Sequence, residues 1–201
     1  MKKWIVLGVL GFLALIIFMA LVSGYNGLVK KSQAVDSQWA QVQNVYQRRA
    51  DLIPNLVNTV TGAANFEKST LVAVTDARAS VGRVTIDASH APDDAAKLQE
   101  FQNAQGQLST ALSRLLVVSE QYPDLKANAN FQILQVQIEG TENRISVERG
   151  RFNDAVQIYD TAVHSFPAAL YAGIFGFHDK PYFTAAPEAQ SAPAVTFPSF
   201  K

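Results

Sequence analysis

From Trp4 to Val22 every residue is apolar or glycine, nineteen consecutive positions without a charge. Wound into a helix at about 1.5 Å per residue, the run is roughly 28 Å long, close to the hydrocarbon thickness of a bilayer. The reading is a single membrane span through residues 4–22. A cleaved signal peptide is the alternative, but its apolar region is normally only about 7 to 15 residues and ends in small residues. Here the exit reads Met19-Ala20-Leu21-Val22-Ser23-Gly24-Tyr25, where Val22 and Gly24 make a poor small-x-small pair. Lys2 and Lys3 precede the run and Lys30 and Lys31 follow it, so basic residues flank both ends within the window that sets orientation. The α-amino group tips the balance towards a body outside the cytoplasm.

Charge and cysteine content remove whole classes of function. Seventeen Lys and Arg meet seventeen Asp and Glu, and beyond residue 23 there are fifteen basic against seventeen acidic side chains, a net of −2. Such a body is no polycationic nucleic-acid binder, because that affinity rests on many phosphate-neutralising cations. The chain has no cysteine, which excludes disulfides, thiolate metal sites and a cysteine nucleophile. His90, His164 and His178 are isolated from one another, so no local metal-ligand spacing exists and neither a metal nor a cofactor is expected. No G-x-S-x-G, phosphate loop or H-E-x-x-H occurs, and the protein reads as non-enzymatic, with no catalytic residue assigned.

Past the span the pattern is helical throughout. Leu28, Val35, Trp39, Val42, Tyr46, Ile53, Leu56 and Val60 follow a spacing of three and four, interrupted only by Arg49. The span is therefore expected to continue outwards as one helix to about Ala63, with a kink near Asp51 caused by Pro54. A second helix is predicted over about Asn65 to Val81, carrying Phe66, Leu71, Val74 and Ala77 and stopped by Gly82. Pro92-Asp93-Asp94 supplies capping chemistry for a third, with stripe Leu98, Phe101, Leu108, Leu112, Leu115 and Val118. Pro123 opens a fourth, whose stripe of Leu134, Ile138, Ile145, Phe152, Val156, Tyr159, Val163 and Phe166 ends at Pro167. The fold expected is all-α: an N-terminal transmembrane helix continuing into an elongated antiparallel four-helix bundle. Its parts are an anchor at 1–24, a bundle over 25–183 and a disordered Pro/Ala-rich tail at 184–201.

Residues 168–177 carry no charge, too short a run to span a bilayer. One reading is a cap folded over the bundle end. The other is an apolar patch in which Leu170, Tyr171, Ile174, Phe175 and Phe177 touch lipid or a neighbouring protomer.

Three clusters resemble the LemA family of bacterial membrane-anchored helical proteins. The first is Tyr25-Asn26-Gly27-Leu28-Val29 followed by Gln47-Arg48-Arg49-Ala50-Asp51-Leu52-Ile53-Pro54-Asn55-Leu56-Val57. The second is Tyr122-Pro123-Asp124-Leu125-Lys126-Ala127, and the third Thr141-Glu142-Asn143-Arg144-Ile145 with Arg149 and Phe166-Pro167. The match runs over about residues 4–183, although Gly62-Ala63-Ala64-Asn65-Phe66-Glu67 stands where the family's pattern resembles G-Y-x-x-H-E. The resemblance implies a helical bundle on one anchor in the bacterial cytoplasmic membrane. It implies envelope maintenance or assembly with membrane partners, among them membrane proteases or TPM-type proteins, and carries no established activity.

The sharpest polar cluster is Arg48, Arg49, Asp51, Pro54 and Asn55, matched by Glu142, Asn143, Arg144 and Arg149 on the fourth helix. Arg49 and Asp51 are expected to meet Glu142 and Arg144 across the bundle. Such a network either binds a partner's carboxylate or a phosphate, or it fixes helix register. The function read from the sequence is a membrane-anchored scaffold or assembly protein that forms homo-oligomers. The alternative is a soluble extracytoplasmic binding module released by signal cleavage.

Overall fold

The computed structural model describes residues 2–62, 66–84, 87 and 89–184. Among these residues there are five helices and no strand: α1 Lys2–Thr61, α2 Lys68–Arg83, α3 Ala95–Ser119, α4 Pro123–Lys126 and α5 Ala129–His164. Two single 3-10 turns follow, Ala168–Leu170 and Gly173–Phe175.

The apolar span and the first bundle helix form one uninterrupted element. Its first part, through Val22, is exposed on every side, as suits a helix surrounded by lipid, where the backbone must satisfy itself. Its second part buries a single stripe from Leu28 to Val60. Helix α1 continues through Pro54, whose ring lies on the exposed side.

Local chemistry sets the other boundaries. Helix α2 starts at Lys68, after Glu67, and runs through Gly82 to Arg83, where the Val84 amide closes onto the Val81 carbonyl at 3.2 Å. Gly82 is thus no stop, and Asn65, its expected start, lies outside the described residues. Helix α3 begins as the sequence indicates, the Asp94 carboxylate accepting from the Ala96 amide at 2.8 Å. The fourth helix is not one element from Pro123 onwards. It breaks after Lys126, and Asn128 starts α5 by accepting from the amides of Asn130 at 2.9 Å and Phe131 at 3.3 Å. An asparagine offers this local alternative to helical continuation.

Helices α1 and α5 pack antiparallel, and α2 packs against α3. The direction follows from two core clusters. Near the span, Leu28, Trp39 and Tyr46 of α1 meet Ile145, Phe152 and Val163 of α5 and Phe101 of α3. At the far end Ile53, Leu56 and Val60 meet Phe131, Leu134 and Ile138, with Leu108, Leu112 and Leu115 of α3 and Val74 of α2. The helices therefore alternate up, down, up and down from the membrane.

Past α5 the chain turns at the membrane-facing end and climbs back along α5. Asp160 accepts from the Lys180 amide at 3.1 Å, Asn153 is paired with Phe183, and Arg149 donates to the Thr184 carbonyl at 2.9 Å. Phe183 fills the core between Trp39 and Phe152, with ring centroids 6.1 and 5.3 Å away. Thr184, expected as the start of a loose tail, is held in place; residues 185–201 lie outside the described residues.

Candidate functional site

Between the two apolar clusters lies a polar layer, and Arg49 is its centre. It occupies a core position of the α1 stripe and is 1% exposed. One terminal nitrogen, Nη1, donates to Glu142 Oε1 at 2.6 Å and to Ser109 Oγ at 2.7 Å. Nη2 donates to the side-chain oxygen of Gln105 and to its backbone carbonyl, the latter at 3.4 Å. The Glu142 carboxylate also accepts from the Ser109 hydroxyl at 3.3 Å. Thr141, buried beside it, turns its hydroxyl back to the Gln137 carbonyl at 2.7 Å. A buried guanidinium would be very costly alone, and here two helices, α3 and α5, supply its acceptors.

Two further groups border the layer. The Tyr46 ring lies 5.2 Å from the Arg49 guanidinium carbon and is edge-on to Phe101 at 5.0 Å. Burial pushes the Tyr46 hydroxyl above its ordinary pKa, Glu142 adds to the rise, and Arg149 and Arg49 oppose it. Arg149 stands over the Phe183 ring at 4.8 Å. Tyr46, Arg49, Gln105, Glu142 and Arg149 line a groove of about 1260 Å³ open towards solvent between α2, α3 and α5.

Of the charged residues singled out from sequence, Arg49 and Glu142 meet, whereas Asp51 and Arg144 do not join them. Each stands two residues from its partner in the layer, about 200° around a helix, and faces outwards. Asp51 instead accepts from Gln47 on its own helix at 2.7 Å. Arg48, Pro54, Asn55 and Asn143 are likewise exposed. Gln105 and Ser109 stand in no sequence motif and Thr141 only in the Thr141-Glu142-Asn143-Arg144-Ile145 run, although Gln105 and Thr141 fill gaps in the apolar stripes of α3 and α5 at the same level as Arg49.

The apolar end segment divides in two. Ala168, Tyr171 and Ala172 are buried in the membrane-proximal core, while Leu170, Ile174 and Phe175 are exposed, and Phe177 is intermediate. Phe166, expected in the α5 stripe, is also exposed, because α5 ends at His164 and the helical spacing ends with it. The segment docks on α1 immediately above the span. Tyr25 packs edge-on against Phe175 at 5.3 Å and Phe177 at 5.5 Å, and the Tyr171 hydroxyl lies where a Cβ on Gly24 would be, 2.0 Å from that position.

Chemically, the polar layer holds a carboxylate in place by a guanidinium and a hydroxyl, and the guanidinium in turn by the Gln105 oxygens. Among the described residues no histidine is bonded to Ser109; His164 pairs with Asp179 at 2.7 Å and His90 with Asp87 at 3.4 Å. The geometry is that of a structural tie exposed along one edge to a groove.

Comparison with known proteins gives a consistent picture. The chain is 25% identical over 208 residues to magnetosome protein MamQ 2 of Paramagnetospirillum magneticum, covering 94% of this chain and 75% of that protein. Magnetosome protein MamQ of Magnetospirillum gryphiswaldense is 24% identical, over 92% of this chain and 73% of its own length. Protein LemA of Metamycoplasma hominis is 21% identical, over 75% of this chain and 64% of its own. The sequence pattern of the LemA family itself matches residues 38–197, the stretch that holds Arg49, Glu142, Asn153 and Phe183. With its helical fold, its apolar N-terminal helix and this match, the chain belongs to the LemA family, as a membrane-associated helical protein.

Proposed function

We propose that the protein is a non-enzymatic, membrane-anchored scaffold that self-associates and assembles envelope protein partners on the outer face of the bacterial cytoplasmic membrane. The observation that carries this reading is the unbroken α1, which passes from an exposed apolar span directly into the buried stripe of the bundle. The bundle is thereby fixed to its anchor without a linker. Relatives named as magnetosome proteins support a membrane-associated role. Membrane proteases and TPM-type proteins are the partner classes proposed. The packing of the end segment on Gly24 and Tyr25 supports retention of the span, since cleavage near residue 24 would cut that contact.

The test is the mass of full-length protein solubilised in mild detergent, measured by light scattering after chromatography, with intact mass on the same sample. An assembly that is a multiple of the 21.9 kDa chain is expected. A single-chain mass in detergent and in lipid nanodiscs would overturn self-association. An intact mass lacking residues 1–24 would overturn anchoring and favour the released module.

A further inference from the structure

Four large apolar side chains at the base of the bundle are largely exposed: Phe166 is 83% exposed, Leu170 70%, Ile174 82% and Phe175, one side of which meets Tyr25, 55%. Their opposite side is packed, with Tyr171 and Ala172 in the core. The segment is thus amphipathic although it is no regular helix. Exposed patches of this kind on a monomer mark a contact.

The height of the patch says what it meets. Phe175 rests on Tyr25, and Tyr171 on Gly24, three and two residues beyond Val22. At about 1.5 Å per residue these contacts lie roughly 3 to 5 Å past the end of the span, within the headgroup layer that flanks the hydrocarbon core. We propose that Phe166, Leu170, Ile174 and Phe175 form a second membrane contact, inserting into the interface of the leaflet from which α1 emerges. The occupant is lipid, because at this depth and beside this helix lipid is the surrounding medium, and because the patch continues the exposed apolar surface of α1 across Tyr25. The base of the bundle then rests on the bilayer at two points, one spanning and one lying in the interface, as apolar faces of interfacial segments do. The inference rests on the anchored reading of residues 4–22.

The absence of cysteine makes the test clean, since single cysteines can be placed at Leu13→Cys, Ile174→Cys and Val136→Cys in the full-length chain. Val136 is exposed on α5 in the half far from the span. Each variant, labelled with an environment-sensitive fluorophore, is reconstituted in phosphatidylcholine vesicles that carry spin labels either near the headgroup or deep in the acyl chain. The expected result at position 174 is quenching several-fold stronger by the shallow label than by the deep one, with iodide quenching several-fold weaker than at 136. Equal iodide quenching at 174 and 136 would overturn the proposal. Protection from iodide without lipid quenching would overturn it too, in favour of cover by protein. Deep-label quenching at position 13 tests the anchor separately: its loss defeats the anchored reading, whereas its presence beside an unquenched 174 defeats only the second contact.

Discussion

Asn153 and Phe183 exchange two hydrogen bonds of 2.9 Å, the side-chain amide donating to the Phe183 carbonyl and accepting from its amide. One asparagine on a helix therefore does for the returning chain what a strand neighbour would do in a sheet. It seats the Phe183 ring against Trp39 and Phe152. Asn153→Ala removes both bonds, and at about 1 kcal/mol each the bundle should lose roughly 2 kcal/mol. Thermal melts of the full chain would measure the loss, and limited proteolysis should then cut between residues 176 and 184 before α5 is attacked.

Arg49→Met strands the acceptors on Gln105, Ser109 and Glu142, while Glu142→Gln removes the charge and turns one of the two accepting oxygens into an amide donor, keeping the other in place. We expect about 2 to 3 kcal/mol for the first, held below the range for fully buried pairs because Glu142 is 34% exposed, and about 1 kcal/mol for the second. Combined in one chain, the two should cost less than their sum by about 1 kcal/mol, which denaturant titration of all four proteins would read; strict additivity would mean the pair is not coupled.

Gly24→Ala puts a methyl 2.0 Å from the Tyr171 hydroxyl oxygen, so the ring must leave its seat. Removing that oxygen with Tyr171→Phe should restore docking in part, since the next ring atom is 3.2 Å away. The readout is exposure of the end segment, followed by hydrogen exchange in detergent: raised in the single variant, lowered again in the double.

At alkaline pH two tyrosines should weaken the fold. Burial, then the neighbouring Asp160, Asp93 and Asp179 carboxylates, lift Tyr159 from 10.0 to about 12. Tyr182 reaches about 12 through partial burial and donation to Asp160. Below pH 10 both are protonated in either state and stability is flat. Between pH 10 and 12 the unfolded chain releases protons that the folded one keeps, so stability falls as pH rises. Melting temperature across this window should drop, and Tyr159→Phe should make the drop shallower.

Much of this architecture is legible in residue spacing. The stripes of α1, α3 and α5 mark their buried faces, and Asp94 marks where α3 begins. The polar layer is half visible: Arg49 stands out in its stripe, whereas Gln105 and Thr141 stand in theirs as gaps between Phe101 and Leu108 and between Ile138 and Ile145, Thr141 within the motif over residues 141–145 but with no role of its own. Treating each gap as a position, and locating all three at one level of an antiparallel bundle, would have found the layer and excluded Asp51 and Arg144. Residues 177–184 carry no period at all, because their course is set by Asp160, Asn153 and Arg149 on α5, partners 20 to 35 residues away in sequence.

An anchor joined to its cargo by a tether leaves the cargo free to turn and tilt, and α1 removes that freedom. The same helix that sits among lipid forms a wall of the core as far as Val60, so any rotation of the bundle is a rotation of the span. From Ser23 to Thr61 the helix rises roughly 58 Å, which fixes the altitude of the far end, where Leu125 and Phe131 close the distal core. Copies side by side in one membrane would present that end at one common level and differ only in compass heading, like masts stepped in the same deck.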